Sequence, residues 1–362
     1  MSGEPIYVVS DQGPTTGIGT YADALVNLLQ RTFPNMILVS LCYLPGEEPP
    51  RWTCLPGSKV ARSWYEIPST LRHNYLQLRR QLPRDSLMHF CGSSYASVSS
   101  YPRSIVTVHD YYPRLPSLVN LKNPRVLLRD ASALSQFVEL PHRVRKARAR
   151  VVPTRCVQDS LWRGCALSST MIHHWVDSSR FYPREKQGAR ARLGLPSESK
   201  LVLNVSTGTS NKNYALLAKI SSQLGGKYQV VIGGGRGMPG RVKGFLLPTL
   251  PYETYPFLFS ACDVYLHLST QEGFGRPLLE AMASKLPIVA LRTGVAMEVL
   301  GDAATWIDSR DPIKRWIESI ESAAEGTIRE SIVAREEVRV AMFSAERAKA
   351  AYTQLYQEVF AL

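Results

Sequence analysis

Apolar residues fall along this chain in short dense runs separated by stretches of helical period, the alternation expected of strands followed by covering helices. Pro5–Ser10 carries Ile6, Tyr7, Val8 and Val9 and predicts a buried strand. A loop over Asp11–Gly19 follows, then a helix over Thr20–Gln30 with Ala22, Leu25, Val26 and Leu29 on one face and Thr20 as its N-cap. Met36–Leu41, Leu87–Phe90 and Ser104–Val108 predict further strands, and Pro45–Pro56 a proline-rich loop without regular structure. Ser69–Leu82 predicts an amphipathic helix with Leu71, Tyr75, Leu78 and Leu82 on one face and Arg72, Arg79 and Arg80 elsewhere, either packed on the sheet with a solvated basic face or lying at a membrane surface. Arg184–Lys200 is polar and basic, as a linker with a flanking helix would be. A second series opens at Leu201–Val205 and continues through Gln229–Ile232 and Asp263–Leu268. Strands alternating with helices in both halves imply parallel sheets, and 362 residues exceed one ordinary core, so two domains are expected.

The strand at Asp263–Leu268 delivers the most informative stretch, Ser269-Thr-Gln-Glu-Gly-Phe-Gly-Arg-Pro-Leu-Leu-Glu-Ala-Met-Ala283. Gly273 and Gly275 permit backbone conformations and close approaches that a Cβ would block, and Pro277 suits the first position of a helix through Leu278–Ser284. A helix N-terminus gathers orphan N–H groups and partial positive charge, so a phosphate fits there without a metal. Glu272 before the turn and Glu280, expected on the first helical turn, would repel that phosphate. A carboxylate can instead accept both hydrogens of a vicinal diol, so one suits a sugar and the other a ribose. On these residues alone an ordinary strand-to-helix turn remains an open reading. Gly17-Ile18-Gly19 offers a second backbone turn of this kind, and His109 with Asp110 stands at the carboxyl end of a strand, where open α/β sheets bind ligands. A structural histidine fits there as well as a catalytic one. Gly235, Gly237 and Gly240 match a dinucleotide fingerprint only formally, because Pro239 interrupts and no suitably spaced acid follows.

Charge adds a distinction between the halves. Of the net +13, residues 1–180 carry 21 Lys+Arg against 12 Asp+Glu, or +9, and residues 181–362 carry 22 against 18, or +4. All but Lys59, Lys122 and Lys146 of the first-half cations are arginines, the better bidentate partner of phosphate. His142–Arg150 is the densest basic run. Such a half suits an anionic acceptor or an anionic membrane surface; no zinc spacing or stacking-aromatic motif accompanies it, so nucleic acid is not expected. His173 and His174 are adjacent without a third ligand nearby, and the six cysteines show no paired metal spacing. No apolar run approaches the roughly 18 residues needed to span a membrane, which predicts a cytoplasmic protein, peripheral at the inner face if the basic half docks there.

The 269–283 segment, with two glutamates seven residues apart around Gly-Phe-Gly, resembles the signature of the retaining glycosyltransferases of family four. The likeness continues through Leu286–Leu291 and Glu298–Ala303. Val205–Asn213 resembles that family's phosphate-contact loop: Thr207 and Lys212 match, while Asn211 and Ser206 replace its usual Arg and Gly. Thr107–Pro113 resembles its Val-His-Asp segment, and Phe343–Leu362 its last helix, with Ala345 where tryptophan is usual. Met171–Pro183 matches less closely, with His173, His174 and Trp175 where Pro, Asn and Gly are usual.

The resemblance implies an α/β GT-B fold of two facing Rossmann-like domains. These are expected over residues 1–183 on the acceptor side and 184–345 on the donor side, with 346–362 returning to the first. It implies transfer of a sugar from a nucleotide-diphosphate sugar to an acceptor hydroxyl, with retention. His109 and Glu272 are then the catalytic candidates, with Asp110 supporting. Gly17, Gly19, Thr207, Lys212, Gly273, Phe274, Gly275, Arg276 and Glu280 are the donor-binding candidates. No cofactor and no metal are expected, because no Asp-x-Asp pair of the metal-diphosphate kind is present. Arg276 is expected to offset the charge missing at Asn211. An epimerase or phosphorylase of the same fold, and a nucleotide-sugar-binding protein without turnover, are the alternatives.

Overall fold

The computed structural model describes residues 3–13, 16–41, 52–54, 56, 67–92, 101–111, 140–142, 144–206, 209–234, 242–248 and 250–361. Thr207, Cys42 and the glycines at 235, 237 and 240 lie outside the described residues. The chain divides into two compact units, one of residues 1–173 with 348–362 and one of residues 174–347.

In the first unit the strands are β1 (Ile6–Ser10), β2 (Met36–Ser40), β3 (Trp52–Cys54), β4 (Leu87–Phe90), β5 (Ser104–Thr107), β6 (Ala149–Val152) and β7 (Thr170–Met171). They form one sheet in the order β3-β2-β1-β4-β5-β6-β7, every pairing parallel. Helices α1 (Gly17–Leu29), α2 (Ile67–Gln81) and α3 (Arg155–Cys165) cover it. The second unit holds α4 (Lys186–Leu193), β8 (Lys200–Val205), α5 (Tyr214–Gln223), β9 (Tyr228–Gly233), β10 (Gly244–Leu247), α6 (Phe257–Ala261) and β11 (Val264–His267). It continues with α7 (Arg276–Ala283), β12 (Ile288–Leu291), α8 (Gly294–Leu300), β13 (Thr305–Ile307), α9 (Ile313–Ala324) and α10 (Gly326–Val340), before α11 (Ala345–Phe360) closes the chain. Its sheet is again parallel, ordered β10-β9-β8-β11-β12-β13. Both orders are doubly wound, reversing between β1 and β4 and between β8 and β11, and ligands of such sheets bind at the carboxyl ends beside that reversal.

Strands buried on both faces explain the dense apolar runs: Val106 and Met88 in the first unit, and Val202, Ile232, Leu266 and Val289 in the second, are almost wholly buried. The Pro45–Pro56 expectation of a structureless loop is corrected by β3, a three-residue edge strand whose hydrogen bonds to β2 no local pattern announces. The first unit also carries a polar cluster inside its core. The Tyr21 hydroxyl meets Tyr352 at 2.6 Å and Thr107 at 3.1 Å, while His89 bonds Tyr356 at 2.7 Å and Thr107 at 2.8 Å. Buried phenols need such partners, and these ones lock the closing helix onto the first sheet.

Candidate donor site

Helix α1 begins earlier than its sequence suggests. Thr16, in extended conformation, caps it by accepting a hydrogen bond from the Gly19 N–H at 3.1 Å. Thr20, expected as the cap, lies inside the helix, and its hydroxyl donates back to the Thr16 carbonyl at 2.6 Å. Gly17 and Gly19 therefore occupy the first helical turn instead of a preceding loop, and the Gly19 N–H already has an acceptor. At the end of β5, His109 is half-buried, edge-on to Tyr21 at 4.7 Å, with Nε2 2.7 Å from the Cys91 carbonyl. That contact fixes its ring at the carboxyl edge of the first sheet, with Asp110 exposed beside it.

In the second unit, the loops after β8 and β11 meet at the sheet reversal. The Thr270 N–H donates to the Asn211 carbonyl at 2.9 Å, and Asn211 Nδ2 donates to the Gln271 carbonyl at 2.9 Å. Asn211 thus clamps the two loops, its side-chain amide donating and its backbone carbonyl accepting. The clamp brings Lys212, at the end of a 3-10 turn over Ser210–Lys212, onto Glu272, and Nζ and Oε1 form an ion pair. Burial alone would raise the Glu272 carboxyl. The Lys212 charge, then His267, and hydrogen bonds from Lys212 and Ser269 hold it below the usual carboxylate range.

His267, the last residue of β11, was not singled out by the sequence. It is 3% exposed, its Nε2 has no hydrogen-bond partner, and burial, aided by Lys212 and opposed by Glu272, lowers its pKa to about 4. A neutral imidazole therefore lies within the field of the ion pair. The only local signal was a histidine between two buried leucines.

Helix α7 starts at Arg276, not at Pro277, because Gly275 takes a left-handed conformation (φ 82°) as its N-cap. A Cβ at that position would meet Leu278 Cδ1 at 3.0 Å, so glycine answers both backbone and space. Pro277 carries no N–H, so donors toward an anion at this end must come from the residues ahead of it. Phe274 turns its ring into the protein, edge-on to His174 at 5.0 Å and to Phe343 at 5.7 Å. Its side chain anchors the loop, and a donor contact at position 274 would fall to the backbone. His174 and Trp175, departures from the expected Asn and Gly, are buried, and neither Trp175 nor Ser206 has positive φ, so the missing glycines cost no backbone strain.

Glu280 sits in the second turn of α7, correcting its expected place in the first. It is 7% exposed and accepts a 2.8 Å hydrogen bond from the Tyr255 hydroxyl. Burial raises its pKa, while the Arg276 charge, the Tyr255 bond and Arg180 pull it partway back. The half-buried Arg276 thus already acts on Glu280. Among the described residues no cluster of three or more His, Cys, Asp or Glu is arranged to hold a metal ion.

Two doubly wound parallel sheets, the second with a glycine-capped helix N-terminus and a Lys–Glu pair at its reversal, define a two-unit α/β protein of the GT-B fold. Residues 185–336 match the family described as Glycosyl transferases group 1. Sulfoquinovosyl transferase SQD2 of Arabidopsis thaliana is 27% identical over 213 residues, covering 54% of this chain and 40% of that protein. Sucrose-phosphate synthase from Thermosynechococcus elongatus superposes with TM-score 0.72 at 18% identity over 99% of each chain. Anabaena HepE in complex with UDP-glucose superposes with TM-score 0.70 at 16% identity, over 98% of this chain and 99% of that one. The chain spans 26% to 40% of the length of the first curated relatives it matches.

Proposed function

We propose that this protein moves a glycosyl unit from a nucleotide-diphosphate sugar to an acceptor hydroxyl, retaining anomeric configuration and requiring no metal. The observation that carries the reading is the Lys212–Glu272 pair held at the β8/β11 reversal beside the N-terminus of α7. The likeness to Anabaena HepE, a protein seen in complex with UDP-glucose, supports a nucleotide-sugar donor. As the bond from anomeric carbon to diphosphate oxygen breaks, negative charge grows on the leaving group. Lys212, Arg276 and the helix end with its Gly273–Gly275 backbone stabilise that charge. Glu272, ionised, accepts hydrogen bonds from sugar hydroxyls, and Glu280, whose second oxygen can accept beyond Tyr255, takes the ribose. His109 is assigned to the transferred sugar, with Asp110 supporting. The acceptor hydroxyl bonds to the anomeric carbon on the face the diphosphate leaves, and its proton passes to the departing phosphate.

A coupled assay of released nucleoside diphosphate, with the product anomer read by NMR in the presence of EDTA, tests this. Retained configuration with activity in EDTA is expected; an inverted product or full loss in EDTA defeats it. For the basic first unit we propose an anionic membrane surface and a phosphorylated or lipid-linked acceptor. On α3, Trp162 is 59% exposed beside the exposed Arg163, a pairing suited to an interface. No helix among the described residues is long and apolar enough to cross a membrane. Equal sedimentation with anionic and neutral liposomes would remove this part.

A further inference from the structure

A basic cavity lies within the second unit, at the opposite end of its strands from the loops after β8 and β11. It has a volume of about 310 Å³, and its cationic lining residues are Arg184, Lys186, Lys285 and Arg329. Cys262 and Leu286, also in the lining, precede β11 and β12, whereas the Lys212–Glu272 pair follows the carboxyl end of β11. The four-residue strand between them spans roughly 13 Å at about 3.3 Å per residue. Substrates of doubly wound sheets bind at carboxyl ends, so the donor reaction does not use this cavity.

Part of the charge here is internal: Lys186 bonds the buried Asp263 at 2.8 Å, and Lys285 pairs with Glu337. The two arginines differ. Arg184 donates to the carbonyls of Tyr182 and Arg180, and Arg329 to those of Asp263 and Lys285. Bonds to carbonyls orient a guanidinium without neutralising it, and each keeps further N–H groups of its five-donor fork. Glu330 also lines the cavity, and nearby Glu336 is wholly buried, which drives its carboxyl toward the neutral form. Counting the four cations against Glu330, Asp263 and Glu337 leaves a net positive cavity, +4 against −3. Ser284 adds a polar atom without a protein partner: it is 5% exposed, lines the cavity, and its hydroxyl makes no hydrogen bond. A buried orphan hydroxyl is destabilising unless something outside the chain meets it. Phe259, Leu286 and Val333 supply an apolar wall. The volume sits at the lower end of small-molecule pockets, roughly 300–1,000 Å³.

We infer that this cavity binds a small phosphorylated molecule, its phosphate held by Arg184 and Arg329 and a phosphate or ester oxygen by Ser284. It is a site separate from the donor site and independent of the proposed transfer. Isothermal titration of the full chain, with saturating UDP present to fill the donor site, uses glucose 6-phosphate and inorganic phosphate as probes and glucose as the neutral control. Glucose 6-phosphate and inorganic phosphate should each bind saturably, and glucose should not. Arg184→Gln should weaken both at least tenfold, and Ser284→Ala threefold or more, with UDP affinity unchanged within twofold. Lys285→Asn, at an exposed position whose φ of 55° asparagine tolerates, should fold normally and weaken both about fivefold. It stands in if Arg184→Gln does not fold. Absence of saturable phosphate binding, equal binding of glucose, or wild-type affinity in Ser284→Ala and Lys285→Asn overturns the site.

Discussion

Lys212 and Glu272 occupy each other in the structure, and this makes the two substitutions act in opposite directions on diphosphate binding. Lys212→Gln removes the cation proposed to receive the phosphates. A hydrogen bond to a charged group is worth about 1.5–3 kcal/mol net, which is roughly 10- to 150-fold in affinity. Because Lys212 must first be drawn from Glu272, the lower part of that range, about 10- to 30-fold, is expected. Glu272→Gln releases Lys212 and removes a carboxylate that repels the diphosphate, so nucleoside-diphosphate affinity should stay level or rise by up to about tenfold. The same variant loses the proposed acceptor for sugar hydroxyls, so turnover should fall by at least about a hundredfold, the scale of 2.7 kcal/mol. The assay is calorimetric titration with UDP, GDP and ADP, beside transfer measured with the preferred diphosphate's sugar. If Glu272→Gln weakened the diphosphate as much as Lys212→Gln does, the competition between carboxylate and phosphate for Lys212 would be refuted.

Arg276→Ala should weaken the donor diphosphate about tenfold, because Asn211 brings no charge to the site; titration showing unchanged affinity would end the idea of compensation. Tyr356→Phe leaves a buried ring nitrogen of His89 without its partner and should destabilise the first unit by about 1–3 kcal/mol in urea unfolding; an unaltered midpoint would mean the polar cluster contributes nothing. Asp263→Asn deprives the buried Arg190 of its counter-charge at 2.8 Å, an effect of about 3–5 kcal/mol on the second unit, and a loss under about 1 kcal/mol would show that water reaches the pair. His267 has a folded pKa of about 4 against roughly 6.5 unfolded, so the unfolded chain binds its proton more tightly. Its contribution is complete above pH 6.5 and is lost as pH falls toward 4, by up to about 1.4 kcal/mol per unit. Relative to His267→Gln, wild-type stability should therefore decline over that window; parallel pH profiles would contradict the burial.

Much of the fold was legible because the second unit's strands are buried on both faces, so Leu201–Val205 and Val264–Leu268 stand out as dense apolar runs interrupted only by Asn204 and His267. The 269–283 stretch was legible because Gly275 and Pro277 are answers to local backbone geometry. Boundaries were less so. Thr16 rather than Thr20 caps α1, since both can offer a hydroxyl and only the path of the preceding loop selects between them. Glu280 moved one position inward, from the end of the first turn into the second, once Gly275 set the start of α7 one residue earlier.

What the sequence determined by itself is therefore what local rules encode: two α/β halves, a helix N-terminus suited to an anion, two carboxylates and a basic residue within reach of it. Tertiary structure alone decided how these act. Lys212 and Glu272 are 60 residues apart, and their pairing depends on Asn211 bonding the loop after a neighbouring strand. The neutrality of His267, the burial of Glu280 under Tyr255, and the orphan hydroxyl of Ser284 likewise arise from residues distant in the chain, because burial and electrostatic field are properties of the packed whole.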